Sequence, residues 1–301
     1  MYIADMHSDS LGCVSAGRGL VTDYNTSRKY PQLTFFAALT KFGGMSLLDR
    51  RATVNRMLNV YLYETDRLGI SRICDAKDLM HAMDTECNSS IFAIEGGGGL
   101  FADCEELITL HKAGLRVLGP IWDTNELGGS SQDSRIGLTD EGRRLIASLC
   151  ELGITVDVSH MSDAALYETL EICPLPVIAS HSNLRDICNS KRNLPTDMAK
   201  EIAARGGVIG LSLYPNHLNE SGTATPDDIL RHISYSIEQL GENAIALGCD
   251  IDGTGGRYPE GYGEHLSIHD KLAELLSSHF GEQTVNRIMG ENVTDFLKCN
   301  L

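Results

Sequence analysis

Short apolar runs alternate with amphipathic stretches along this chain. Runs at Tyr2–Met6, Leu33–Leu39, Ile91–Ile94, Leu115–Ile121, Ile154–Val158, Val177–Ala179, Val208–Leu213 and Ile245–Cys249 predict eight strands. Leu33–Leu39 is the weakest of them, because its pattern also fits a helix. Between the strands lie helical patterns. Asp49–Leu68 carries Val54, Met57, Leu58 and Tyr61 at helical spacing, and Thr139–Leu152 opens with Asp140 and Glu141. Thr225–Leu240 has Thr225 as cap, Pro226 at the first helical position and Gly241 beyond the end. Strands alternating with helices predict an α/β fold, a (β/α)8 TIM-like barrel. The chain has 301 residues and no internal repeat or Pro/Ser-rich linker, so the expectation is one barrel domain over residues 1–301.

Charge narrows the partners. With 25 Lys+Arg against 41 Asp+Glu the net charge is −16, which repels phosphate backbones and anionic membranes. Neither nucleic acid nor a membrane is expected as a partner, and a homo-oligomer stays open. The nine cysteines include no Cys-x-x-Cys pair and read as buried thiols in a reducing compartment. No apolar run approaches the roughly 18 residues of a membrane span, and no basic start leads into one. A cytoplasmic protein is the expectation.

Candidate chemistry sits where the strands end. In a barrel, catalytic groups project from the C-terminal ends of the strands. The first strand leads to His7 and Asp9, the third to Glu95 in "FAIEGGGG", the fifth to His160 in "VDVSH", the sixth to His181 in "IASH" and the eighth to Asp250 in "LGCD". Residues two apart on a strand share a face, so His7 and Asp9 can grip one ion. Singly, each of these is as well read as a surface pair, a satisfied core histidine or a turn. Together, imidazoles and carboxylates at one barrel mouth form a set suited to zinc. One carboxylate bridging two ions would make a two-metal hydrolase. His81, His111, His232 and His279 lie in helical contexts and are expected at the surface. His217, His265 and His269 fall on mouth loops and are unassigned.

The motifs "DMHSD", "IEGG", "VDVSH", "SHSN", "SKRNLP", "GCDIDG" and "GENVTDFL" occur in this order, and with them the chain resembles the renal or membrane dipeptidases, zinc peptidases related to the amidohydrolase barrels. The resemblance implies two Zn2+ ions, one on His7 and Asp9, the other on His160 and His181, with Glu95 bridging. It implies that Asp250 moves the proton and that Arg192, eleven residues after His181, takes the carboxylate of a dipeptide substrate. Zinc would lower the pKa of a water and polarise the scissile carbonyl. Asp5 is expected to support the site by hydrogen bonding. D-residues at the C-terminal position are within the expected substrate range. The chain departs from the family pattern at Trp122, where relatives close to the mammalian enzyme have a histidine that helps hold the substrate carbonyl. Trp122 reads either as packing or as a wall of the substrate pocket. The Gly-rich loop "GTGGRYPEGYGEH" also departs from the pattern and reads either as a lid or as a loose connection. Hydrolysis of N-acyl amino acids or cyclic amides is the alternative, and a catalytically inactive metal-binding barrel a more remote one.

Overall fold

A computed structural model of the chain describes residues 1–15, 29–40, 46–97, 104–263 and 268–301. The strands among them are β1 (Ile3–Ser8), β2 (Gln32–Leu39), β3 (Ser71–Arg72), β4 (Ser89–Glu95), β5 (Leu115–Gly119), β6 (Thr155–Val156), β7 (Ile178–Ala179), β8 (Val208–Leu211) and β9 (Ile245–Leu247). All ladders are parallel, in the order β6-β5-β4-β2-β1-β9-β8-β7, with β3 on β4 outside this path. A parallel bridge between Asp157 and Ile178 joins the two ends. The result is a nearly closed eight-stranded (β/α)8 barrel.

β2 is a strand, not a helix. Its residues Leu33 to Ala38 are all buried, as a strand covered on both faces requires. Residues of one parity fill the barrel: Met6, Phe35, Ile91, Ala93, Val117, Ile178, Val208 and Ala246 form one cluster with Val293, Phe296 and Leu297. The last three belong to the helix Asn292–Asn300, so the "GENVTDFL" motif contributes to the filling of the barrel. Gly290 of that motif lies so close to β1 that an added Cβ would meet the Tyr2 carbonyl oxygen at 1.9 Å.

The predicted helices form with small changes at their ends. The first spans Leu47–Leu68, capped by Ser46, whose Oγ accepts from the Asp49 N–H. The second, Asp140–Leu152, is capped by Thr139 and stopped by Gly153 at φ 69°. The third, Pro226–Leu240, has a capping box between Thr225 and Asp228. β3 escapes sequence reading because two half-buried polar residues make no apolar run. Several strands end earlier than predicted, and at β6, Thr155–Val156 against the predicted Ile154–Val158, the cause is visible. There the Ser159 and Ser180 N–H groups donate to the Asp157 carboxylate, at 3.0 and 2.9 Å. None of the eight described cysteines forms a disulfide, but only Cys173, Cys188 and Cys249 are buried, so the expectation of buried thiols fails for the rest.

β1 carries the irregularity that matters for the site. It pairs Asp5 with Thr34 and then Ser8 with Phe36, advancing three residues while β2 advances two. Ile3 packs outside the barrel with Leu247, Ile268 and Leu272, and regular alternation would send Asp5 and His7 the same way. The extra residue reverses the parity, and His7 turns to the mouth. Bulges commonly re-aim a side chain beside a functional site.

Candidate metal centre

Six strand-end residues converge at the C-terminal mouth. His7 lies within β1, Asp9 one residue past it, Glu95 at the last position of β4, and His160, His181 and Asp250 on the turns after β6, β7 and β9. His7 Nε2 is 3.6 Å from Glu95 Oε2, 3.8 Å from Asp9 Oδ1 and 4.0 Å from Asp250 Oδ1. On the other side Glu95 Oε1 is 2.8 Å from His160 Nε2 and 3.4 Å from His181 Nε2. The two oxygens of one carboxylate therefore face two donor sets. His160 and His181 stand with their Nε2 atoms 3.0 Å apart.

Whether these groups fit cations can be judged from the donors. His7 Nε2, Asp9 Oδ1 and Glu95 Oε2 are buried without hydrogen-bond partners, a costly state for polar atoms unless an ion satisfies them. The tautomer of His181 follows from its neighbours. Ser180 Oγ donates to Asp157 Oδ2 at 2.5 Å and therefore accepts from His181 Nδ1 at 2.8 Å, which leaves the Nε2 lone pair facing Glu95. Both three-residue sets, His7–Asp9–Glu95 and Glu95–His160–His181, have ligand atoms within 4.8 Å of one another. The donor set is nitrogen and oxygen, compatible with zinc.

The charges are coupled. Burial alone would lower the His7 pKa, but Glu95 and then Asp9 and Asp250 raise it to about 10. Burial, reinforced by Glu95 and opposed by His7, raises Asp250 to about 7. Asp9 is raised well above the usual range by burial and by Glu95, whereas Glu95, despite burial, is lowered by His7 and His160. Burial and the Arg192 charge lower His160 to about 4. His181 is lowered by burial and by His7. A site with three carboxylates and two neutral imidazoles is prepared for positive charge. The backbone is unusual here as well: His160 and Asp250 have φ of 69° and 58°, the left-handed region that side chains disfavour and that is found at functional sites. At Gly253 an added Cβ would meet Asp250 Oδ1 at 2.0 Å and Asp9 Oδ2 at 2.6 Å.

A cleft of about 590 Å³ opens over this centre, lined in part by Trp122, Arg192, Tyr214 and His217. Arg192 is buried; its Nη1 donates to Ser182 Oγ at 2.7 Å and its Nη2 to the His181 carbonyl at 3.0 Å, while Nε has no partner. The half-buried Trp122 stacks on His160, with ring centroids 5.4 Å apart and planes at 30°. Asp5 is buried behind the centre, accepting from the N–H groups of His7 and Cys249 and from His269 Nε2 at 2.7 Å. It thus ties β1 to β9, as its expected supporting role requires.

The other histidines separate cleanly. His81 and His279 are exposed and His111 is half-buried. His232, expected at the surface, is buried: its Nε2 donates to the Leu218 carbonyl at 3.0 Å. It lies three residues after Ile229 on the buried stripe of its helix, so the apolar periodicity carried the signal. His265 lies outside the described residues. Asp157, which orients Ser180 and through it His181, was not singled out from the sequence. Its signal was an acid inside the apolar run "ITVDV".

Comparison with known proteins decides the family. A model of the membrane dipeptidases, peptidase family M19, matches residues 28–298. The chain belongs to this family. It is accordingly a hydrolase of a metallo-dipeptidase family. An uncharacterized Klebsiella pneumoniae protein from the pqqA 5′ region is 30% identical over 243 residues, covering 76% of this chain and 89% of its own. Rat dipeptidase 3 is 27% identical over 74% of this chain, a stretch that spans 49% of the rat protein. Among solved structures, dipeptidase AC, an M19 metallopeptidase, superposes with a TM-score of 0.88 at 22% identity, over 100% of this chain and 99% of its own. A Rhodobacter sphaeroides metallopeptidase liganded with a phosphinate mimic of L-Ala-D-Ala gives 0.87 at 21% identity, with the same coverage.

Proposed function

We propose that this chain is a binuclear zinc dipeptidase acting on dipeptides with a free C-terminal carboxylate, D-residues included at the C-terminal position. The observation that carries this reading is Glu95, whose Oε2 faces His7 and Asp9 and whose Oε1 faces His160 and His181. His7 and Asp9 would hold one ion, His160 and His181 the other, and Glu95 both. When bound, such a pair supplies Lewis acidity, lowering the pKa of water and polarising a carbonyl.

The protein's own groups do the rest. Asp250, raised to about 7 by burial against the attraction of His7, would accept a proton from the attacking water and return it to the departing amine. Arg192 would receive the substrate carboxylate through its unpartnered Nε and the remaining hydrogens of its guanidinium. A free carboxylate one residue beyond the scissile bond would thereby select dipeptides over longer peptides. Trp122, stacked on His160, would narrow the cleft and exclude water from the reacting bond. The Rhodobacter relative's L-Ala-D-Ala mimic supports a D-residue at the second position. The test is hydrolysis, by zinc-replete protein, of L,L- and L,D-dipeptides, their C-terminal amides, tripeptides and N-acyl amino acids. Cleavage of dipeptides with loss of rate on amidation supports the proposal. Faster cleavage of N-acyl amino acids would replace the substrate class, and equal rates on acid and amide would remove the clamp.

A further inference from the structure

Two asparagines from the "SHSN" and "SKRNLP" motifs serve no metal and no proton, yet both converge on one turn. Asn183 Nδ2 donates to the carbonyls of Ser212 and His217, at 3.0 and 3.2 Å, and Asn183 Oδ1 accepts from the Ser212 N–H. Asn193 Nδ2, next to Arg192, donates to the same His217 carbonyl at 2.8 Å. What this scaffold presents is the His217 imidazole. It lines the same cleft as Arg192 and the metal-site residues, is 8% exposed, and packs edge-on against Tyr214 with centroids 4.9 Å apart.

The hydrogen bonds set the state of the ring. Ser212 Oγ accepts from the Tyr214 N–H at 3.3 Å and lies 2.8 Å from His217 Nδ1, to which its own hydrogen can be given. In the tautomer that accepts this hydrogen, the proton of the neutral ring sits on Nε2. Burial and then the Arg192 charge hold the pKa of His217 well below its usual value. A neutral donor thus stands near a guanidinium that has already spent one N–H on Ser182 and another on the His181 carbonyl. A carboxylate offers about four lone-pair sites, more than a partly committed guanidinium satisfies.

We propose that His217 is a substrate-binding residue whose Nε2–H donates to the C-terminal carboxylate of the dipeptide beside Arg192. This rests on the dipeptidase reading above. It also gives the two asparagines a purpose, since they fix the donor to the loop that carries Arg192.

The experiment compares native protein, His217→Phe, His217→Gln and Ser212→Ala, all zinc-replete, on L-Ala-D-Ala and its C-terminal amide, with bound zinc and thermal unfolding recorded for each. Loss of one hydrogen bond to a charged acceptor should raise KM for the acid about tenfold or more in His217→Phe, with kcat within about threefold and a clearly smaller loss on the amide, whose carbonyl is an uncharged acceptor. His217→Gln, which keeps an N–H donor, should recover most of the loss. Ser212→Ala should raise KM by a smaller factor, again more for the acid than for the amide, and it decides the matter if the Phe variant does not fold. Equal losses on acid and amide, or unchanged KM for the acid, overturn the role of His217. Native protein that cleaves acid and amide alike overturns the clamp and this inference together. Native protein that discriminates between them, with variants that discriminate equally well, overturns this inference alone.

Discussion

Glu95 is the residue on which both donor sets depend, because each of its oxygens faces a different one. Glu95→Gln should lower bound zinc from about two ions per chain and abolish turnover; elemental analysis showing full occupancy with normal rates would remove it from the bridging position. Asp250→Asn should instead keep its metal and lose kcat by roughly 10²-fold or more, the scale of a general acid–base group. His232 gives a pH prediction remote from the metals. Burial lowers it to about 4, with the bond to Leu218 opposing, while the unfolded value is about 6.5. The unfolded chain therefore takes up the proton first as pH falls. Stability is complete above about 6.5 and declines toward 4, by up to about 3 kcal/mol for this group. His232→Gln should flatten the pH dependence of Tm across that window, and an unchanged slope would assign the loss to other groups. The residues that meet at the mouth were legible because ionisable residues ending apolar runs need a reason. His217 was not, because the tie from Ser212 and the two asparagine bonds to its carbonyl come from residues distant in sequence and exist only in the folded chain.

At the scale of elements, strands and helices followed from apolar runs and caps, but the turning of β1 did not. Nothing in "IADMHS" marks an extra residue between Asp5 and Ser8; the bulge exists only relative to the register of β2. The loop after β9 left a choice between a lid and a loose connection. Its described part is fastened. Arg257 donates to Tyr214 Oη at 2.8 Å, to Asn216 Oδ1 at 2.7 Å and to the Gly222 carbonyl at 3.0 Å, and the Glu260 N–H reaches the Ala224 carbonyl at 2.8 Å. At the start of this loop Gly253 leaves room for the carboxylates of Asp9 and Asp250, and a methyl group there would meet both. Gly253→Ala should consequently bind less zinc and turn over more slowly, while metal-free native and variant proteins unfold at similar temperatures. Elemental analysis and thermal melts check this, and normal zinc content in the variant would show that the loop yields.

For the whole molecule, a barrel whose interior is apolar from Met6 and Phe35 to Val293 and Leu297 places the buried, unpartnered His7 Nε2, Asp9 Oδ1 and Glu95 Oε2 together at one mouth. No helix among the described residues is long and apolar enough to cross a membrane. Buried carboxylates facing one another cost stability until cations neutralise them, so removal of metal should lower Tm and zinc should restore it. At free zinc about a hundredfold above its Kd the gain is about 2.7 kcal/mol per site; a melt indifferent to chelator would mean that the mouth holds no ion. The most direct test of the account is a zinc titration of stripped protein followed by hydrolysis of L-Ala-D-Ala. Activity should rise with zinc and saturate at about two ions per chain. Full activity at one ion, or a fully loaded protein that leaves every dipeptide intact, would contradict it.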